Sequence, residues 1–159
     1  MVLSSYSKIN LSLLVNSKQK SGLHSIQSYF CLINLKDKIK IKKIDGKSDK
    51  INFIGPFSKL INKKNNSIKS VLVLLRKLKL ISSCYSVVVK KNIPVFAGLG
   101  GGTSNAFTVM KYVLRKKLSK KNFNIIKKKI GSDLELFFYK QGFLKNLGSI
   151  INQKIKQTF

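Results

Sequence analysis

Four of the ten glycines of this 159-residue chain fall between Gly98 and Gly102, in the string Ile-Pro-Val-Phe-Ala-Gly-Leu-Gly-Gly-Gly-Thr-Ser-Asn-Ala over residues 93–106. The string joins a Val-rich run, Tyr85 to Lys90, to a helical pattern that begins near Thr103. Glycine this dense opens backbone conformations closed to other residues, so successive amides can curl around one concavity, and the helix that follows adds the partial positive charge of its N-terminus. A phosphate group fits such a place. Thr103 and Ser104 add hydroxyls that can donate to a phosphate or help hold Mg2+. A flexible glycine-rich turn is the alternative, but a plain turn has no need of so many glycines leading into a Thr-Ser pair. The loop is not one of the common nucleotide loops: no Lys follows the last glycine as GxxxxGK[ST] demands, and Thr103 stands where GxGxxG needs its third glycine.

The pattern around this loop predicts a run of strands followed by helices and one further strand. Apolar and polar residues alternate over 6–15, 25–35, 38–44 and 50–54, which predicts four strands, with Gly22 and the Asp45-Gly46 hairpin signal as turns, so that the first third forms an antiparallel sheet. A polar loop follows over 58–67. Ile68, Val71, Leu72, Leu75, Leu78 and Leu80 then recur at helical spacing. Beyond them come a strand over 85–90, a helix over 103–118, and a helix from the N-cap Ser119 to Ile130 that Gly131 closes. Of the five carboxylates, Asp37, Asp45 and Asp49 are expected in or beside turns, in solvent. One domain is expected over 1–146, with 147–159 as a frayed tail.

A chain of this length can bury a core without disulfides, and no apolar run approaches the ~18 residues of a membrane-spanning helix. The formal charge of +27 would suit a nucleic-acid partner, and a basic nucleic-acid-binding module is the alternative function. Thirty of the 32 basic residues are Lys, however, whereas selected phosphate and base contacts draw heavily on Arg. Lys, Asn and Ile make up 61 of 159 residues, and A/T-only codons encode all three, so gene composition accounts for much of the charge and no specific nucleic acid is expected. Cys31, Cys84 and a single histidine, His24, exclude zinc sites and His-based triads. The first residues lack the pattern of a signal peptide, and a cytoplasmic location is expected.

Pro94 to Ala106 resembles the phosphate loop of the galactokinase, homoserine kinase, mevalonate kinase and phosphomevalonate kinase superfamily, the GHMP kinases. Its pattern is Pro, three residues, then Gly-Leu-Gly-Gly-Gly-Ser-Ser-Asn-Ala, and here Thr103 replaces the first Ser. Ser7-Lys8-Ile9-Asn10-Leu11, Gly22-Leu23-His24 and Gly131-Ser132-Asp133 resemble motifs of the branch that phosphorylates 4-diphosphocytidyl-2-C-methyl-D-erythritol. The resemblance implies a two-layer α+β fold of the ribosomal protein S5 domain 2-like type. It also implies transfer of the ATP γ-phosphoryl group to the 2-hydroxyl of that cytidyl diphosphate, in non-mevalonate isoprenoid precursor synthesis.

By the same resemblance, ATP with Mg2+ would lie against Pro94, Gly98, Leu99, Gly100, Gly101, Gly102, Thr103 and Ser104, with Asn66 near the adenosine. Asp133 would accept the hydroxyl proton, and Lys8 would face it and attract the charge developing on the transferred group. Asn10 and His24 match positions at the cytidine site. The chain departs from the family at Leu23, where an aromatic is usual, and at Leu134-Glu135-Leu136, where a Val-Pro-Phe type sequence is usual. The family pattern continues through a second domain that forms the other wall of the cleft. The resemblance covers about its N-terminal half, so 147–159 would begin a missing domain, and a separate C-terminal domain chain is one possible partner.

Overall fold

In the computed structural model, which describes residues 1–18, 24–62, 65–114, 118–146 and 149–151, the alternating runs become strands of one mixed sheet. In chain order these are β1 (Val2–Asn10), β2 (Leu14–Lys18), β3 (His24–Ile44), β4 (Lys50–Ile54), β5 (Cys84–Lys90), β6 (Gln141–Asn146) and β7 (Ser149–Ile151). The sheet runs β4-β5-β3-β6-β7, and β1 and β2 also pair with β3. The two strands expected over 25–35 and 38–44 are one. Their apparent break is a bulge: Tyr6 of β1 faces Lys36, but Ser7 faces Ile33, so Asn34 and Leu35 have no partner in the register. Such an irregularity bends a strand and re-aims its side chains. The buried positions accordingly change parity, from Ser28 and Phe30 before the bulge to Asp37, Ile39 and Ile41 after it.

The Asp45-Gly46 hairpin does not form, because β5 lies between β3 and β4. β4 pairs with β5 in parallel, Ile51 opposite Val87 and Phe53 opposite Val89. A parallel pair needs a crossover, which α1 (Ser67–Lys77) supplies. Asn66 caps this helix by accepting from the Lys69 amide at 3.0 Å. At its other end Lys79 takes a left-handed φ of 55°, and the amides of Lys79 and Leu80 close on the carbonyls of Arg76 and Leu75, a Schellman ending. α2 spans Gly101–Val113, and α3 spans Lys120–Ile130 behind its cap Ser119. A 3-10 turn over Ser132–Phe138 leads to β6.

The helices cover one face of the sheet, giving two layers. Ile39, Ile41, Phe53, Val87 and Val89 meet Ile68, Val71, Leu72 and Leu75 of α1 and Ala106, Val109 and Met110 of α2. The alternate positions Lys38, Lys40, Lys42 and Lys50 are exposed, so the other face is a lysine surface. No helix among the described residues is long and apolar enough to cross a membrane. β7 pairs with β6, so the sheet runs past residue 146, where a frayed tail was expected; residues 152–159 lie outside the described residues.

Two of the carboxylates expected in solvent are buried. Asp37 is fully buried within β3 and forms an ion pair with Lys91, whose exposure is 2%. Asp49 pairs with Arg76 and accepts the Tyr85 amide at 2.9 Å. The two aspartates therefore hold the two ends of β5: each brings its carboxylate to backbone amides that the ladder leaves unpaired, a use that alternation alone does not signal.

Candidate active site

The glycine loop is anchored before it begins. Asp37 Oδ1 accepts the amides of Asn92 at 2.7 Å and Ile93 at 2.9 Å, while Oδ2 meets Lys91 Nζ. The loop is tied next to β1, where the Lys8 amide donates to the Leu99 carbonyl at 3.0 Å. Gly100 is the N-cap of α2 with φ 67° and ψ 16°, left-handed backbone that disfavours any side chain. The helix thus starts at Gly101, two residues before the expected Thr103, because the glycines form its first turn rather than a lead into it.

This start decides where the loop residues point. A Cβ on Gly101 would lie 3.0 Å from Ile93 Cγ2 and 3.4 Å from Lys91 Nζ, so that face of the loop rests on the core and not on the open concavity. Gly102 faces α1, its Cβ position 3.2 Å from Ser67 Oγ. The N-terminal ends of α1 and α2 therefore meet at one cavity of about 410 Å³, which Asn65, Asn66, Ser67, Pro94, Phe96, Gly98–Thr103 and Asn105 help to line. Two helix N-termini facing one cavity favour an anion there.

Ser104 does not join them, which corrects the expectation of a phosphate or metal contact from its hydroxyl. The side chain is 2% exposed; its Oγ donates to the Tyr6 carbonyl at 2.6 Å and lies 2.8 Å from Ser5 Oγ, and its amide closes on Gly100 O. One turn inside the helix, it faces the sheet and pins α2 to β1. Asn105, which the motif reading passed over, is 3% exposed, lines the cavity, and has an Oδ1 without a partner. Such a buried acceptor costs stability unless a ligand donor meets it. Its spacing of three from Gly102, the glycine that faces α1, is the signal that places it on that side of the helix.

Lys8 and Asp133 come together on the other side of the loop. Lys8 Nζ is 3.2 Å from Asp133 Oδ2 and donates to Asn10 Oδ1 at 3.1 Å. The lysine is 6% exposed, its stem lying 3.3 Å from where a Gly100 Cβ would stand, while the Asp133 side chain remains 31% exposed. Gly131, two residues before Asp133, lies against Thr103: its Cβ position is 3.2 Å from Thr103 Oγ1. Lys8, Asn10, Thr103 and Asp133 thus surround the start of α2. Glu135, close in sequence, pairs with Lys127 instead. His24 opens β3 opposite Lys18; its side chain lies outside the described residues, as do Gly22 and Leu23.

The described residues thus hold a glycine turn that starts a helix, with a Lys–Asp pair packed beside it, on a two-layer sheet. Residues 66–139 match the family described as GHMP kinases N terminal domain. The chain's similarity is to one branch in particular. The 4-diphosphocytidyl-2-C-methyl-D-erythritol kinase of Pelagibacter ubique (strain HTCC1062) is 44% identical over 135 residues, which cover 83% of this chain and 48% of that protein. The kinase of the same name from Ureaplasma parvum serovar 3 is 33% identical over 162 residues, 95% of this chain and 58% of its own length. A crystal structure of 4-(cytidine 5'-diphospho)-2C-methyl-D-erythritol kinase superposes with a TM-score of 0.71 at 20% identity, covering 98% of this chain and 56% of that one, so the fold is shared. The chain spans about half the length of the curated relatives it matches.

Proposed function

We propose that this chain is the nucleotide-binding half of an ATP-dependent kinase that phosphorylates the 2-hydroxyl of 4-diphosphocytidyl-2-C-methyl-D-erythritol, a cytoplasmic step toward isoprenoid precursors. The observation that carries the reading is the 3.2 Å approach of Lys8 to Asp133 beside the helix start that the glycines form. The ATP phosphates lie against the amides of Gly98, Leu99, Gly100, Gly101, Gly102 and Thr103, with Pro94 and Asn66 on the nucleoside side and Asn10 and His24 toward the cytidine.

Asp133 accepts the proton of the attacking hydroxyl as its oxygen bonds to the γ-phosphorus. The bond from that phosphorus to the bridging oxygen breaks, and ADP leaves with the electron pair. Such a transition state asks for positioning and charge stabilisation, and Lys8 supplies a fixed positive charge beside the carboxylate. Among the described residues no three acidic, His or Cys side chains cluster around a metal position. Thr103 and Asp133, beside the start of α2, would be the protein oxygens for Mg2+, which keeps water and phosphate oxygens and takes few protein ligands. Bound there, the ion would neutralise phosphate charge. A second domain closes the cleft.

The test is to express residues 1–159 with a second-domain polypeptide from a related kinase and follow ATP-dependent phosphorylation of the cytidyl substrate. Turnover should fall at least about 100-fold in Asp133→Asn, the scale of a lost general base. Equal turnover by wild type and Asp133→Asn, or nucleotide binding with no transfer, overturns the proposal.

A further inference from the structure

Phe96 is the one residue on the glycine loop whose conformation works against its own side chain. Its φ is 63°, in the left-handed region where a bulky L-residue is an outlier, and it is 93% exposed. The ring belongs to neither hydrophobic cluster and to none of the ring–ring contacts of the described residues. An apolar side chain held in strained backbone and left in water gains nothing from the fold around it, and strain of this kind collects where a ligand is gripped.

Its position says which ligand group. Phe96 lies on the rim of the cavity that the two helix N-termini share. Lys8 and Asp133 do not line that cavity; they sit at the Gly100 side of the loop. A triphosphate laid on the loop amides with its terminal phosphate toward Asp133 must send its nucleoside the other way, into the cavity. There Leu60 and Ile61 offer an apolar wall, and the amide side chains of Asn65 and Asn66 offer polar groups for a base edge. Of the two rings that line the cavity, Phe53 is committed to the core, and Phe96 stands exposed at the mouth, where a base could lie on its face.

We propose that Phe96 is the stacking platform for the nucleobase, with its strained backbone holding the ring over the cavity before the nucleotide arrives. This rests on the reading of the cavity as an ATP site and adds the residue that grips the base. Without a side chain, the left-handed position is relaxed. Phe96→Gly should therefore raise the melting temperature of the chain while weakening ATP, a pairing of signs that a structural role would not produce.

The experiment measures binding of ATP and of inorganic tripolyphosphate to wild type, Phe96→Ala, Phe96→Gly and Phe96→Trp. Loss of the ring should raise the dissociation constant for ATP at least about fivefold, the low end of base–aromatic stacking, and leave that for tripolyphosphate within about twofold. The chain has no tryptophan, so Phe96→Trp provides a single reporter whose emission ATP should quench and tripolyphosphate should not. ATP affinity that is indifferent to Phe96, or ATP and tripolyphosphate weakened together, overturns the proposal and leaves the ATP site standing. Failure of wild type to bind either ligand overturns both.

Discussion

Substituting two loop glycines that share a backbone conformation separates strain from packing. Gly98 and Gly100 have φ of 71° and 67°, so an alanine at either incurs the same left-handed cost of about 1–2 kcal/mol. Their surroundings differ. A Cβ at Gly98 meets nothing within 4 Å, whereas one at Gly100 would lie 3.1 Å from Phe137 Cζ and 3.3 Å from Lys8 Cγ. Both contacts fall inside the ~3.5–4.0 Å optimum for carbon atoms, and Phe137 and Lys8 are buried, which limits their retreat. Overpacking of this kind adds about 1–3 kcal/mol, for a total near 2–5 kcal/mol at Gly100. At about 2–4 °C per kcal/mol for a domain of this size, Gly98→Ala should lower the melting temperature by about 2–8 °C and Gly100→Ala by about 4–20 °C. Calorimetry and urea titration of both variants measure the difference directly. Because the Gly100 Cβ presses on the stem of Lys8, that variant should also lose phosphoryl transfer when assayed with a second-domain partner. Equal loss of stability in the two variants would refute the argument, since it would mean that the loop moves away from Lys8 and Phe137 without cost.

Three further outcomes follow from the site. With Lys91→Met in the background, Asp37→Asn keeps an acceptor for the Asn92 and Ile93 amides and Asp37→Ala does not; at equal charge, the Ala variant should bind an ATP analogue about tenfold or more weakly, as two orphaned amides imply, read by calorimetric titration. Ser104→Ala should cost about 1–3 kcal/mol of stability in urea titration yet leave ATP affinity unchanged, since the hydroxyl serves β1 and not the cavity. RNA should bind through lysine charge alone, so log K should fall steeply and linearly with log salt; tight binding to one sequence, surviving a scrambled competitor at physiological salt, would contradict this.

Much of the site could be read in one dimension because its parts are contiguous. The glycine loop, the Ser119 cap and the Lys8-Ile9-Asn10 triplet each lie within a few residues, where spacing translates directly into geometry. The same contiguity misled at Ser104: next to Thr103 in sequence, it lies a helical step around from it and faces the sheet. Gly101 shows the same limit, since only the helix start reveals that its missing side chain makes room for Ile93 and Lys91 rather than for a phosphate.

From the order of residues alone come most of the strands and helices and the loop that suits a phosphate, because hydrophobic period and glycine content act through neighbours along the chain; the two-layer class came with the family resemblance. Tertiary structure decided what joins distant segments. It placed β5 between β3 and β4 against a hairpin signal, since α1 returns the chain in parallel. It buried Asp37 at the foot of the loop by a two-residue bulge in β3, and it brought Lys8 to Asp133 across 125 positions of sequence. Among thirty lysines no local pattern singles out Lys91, because its meaning resides in the carboxylate that folding sets against it, 54 residues away.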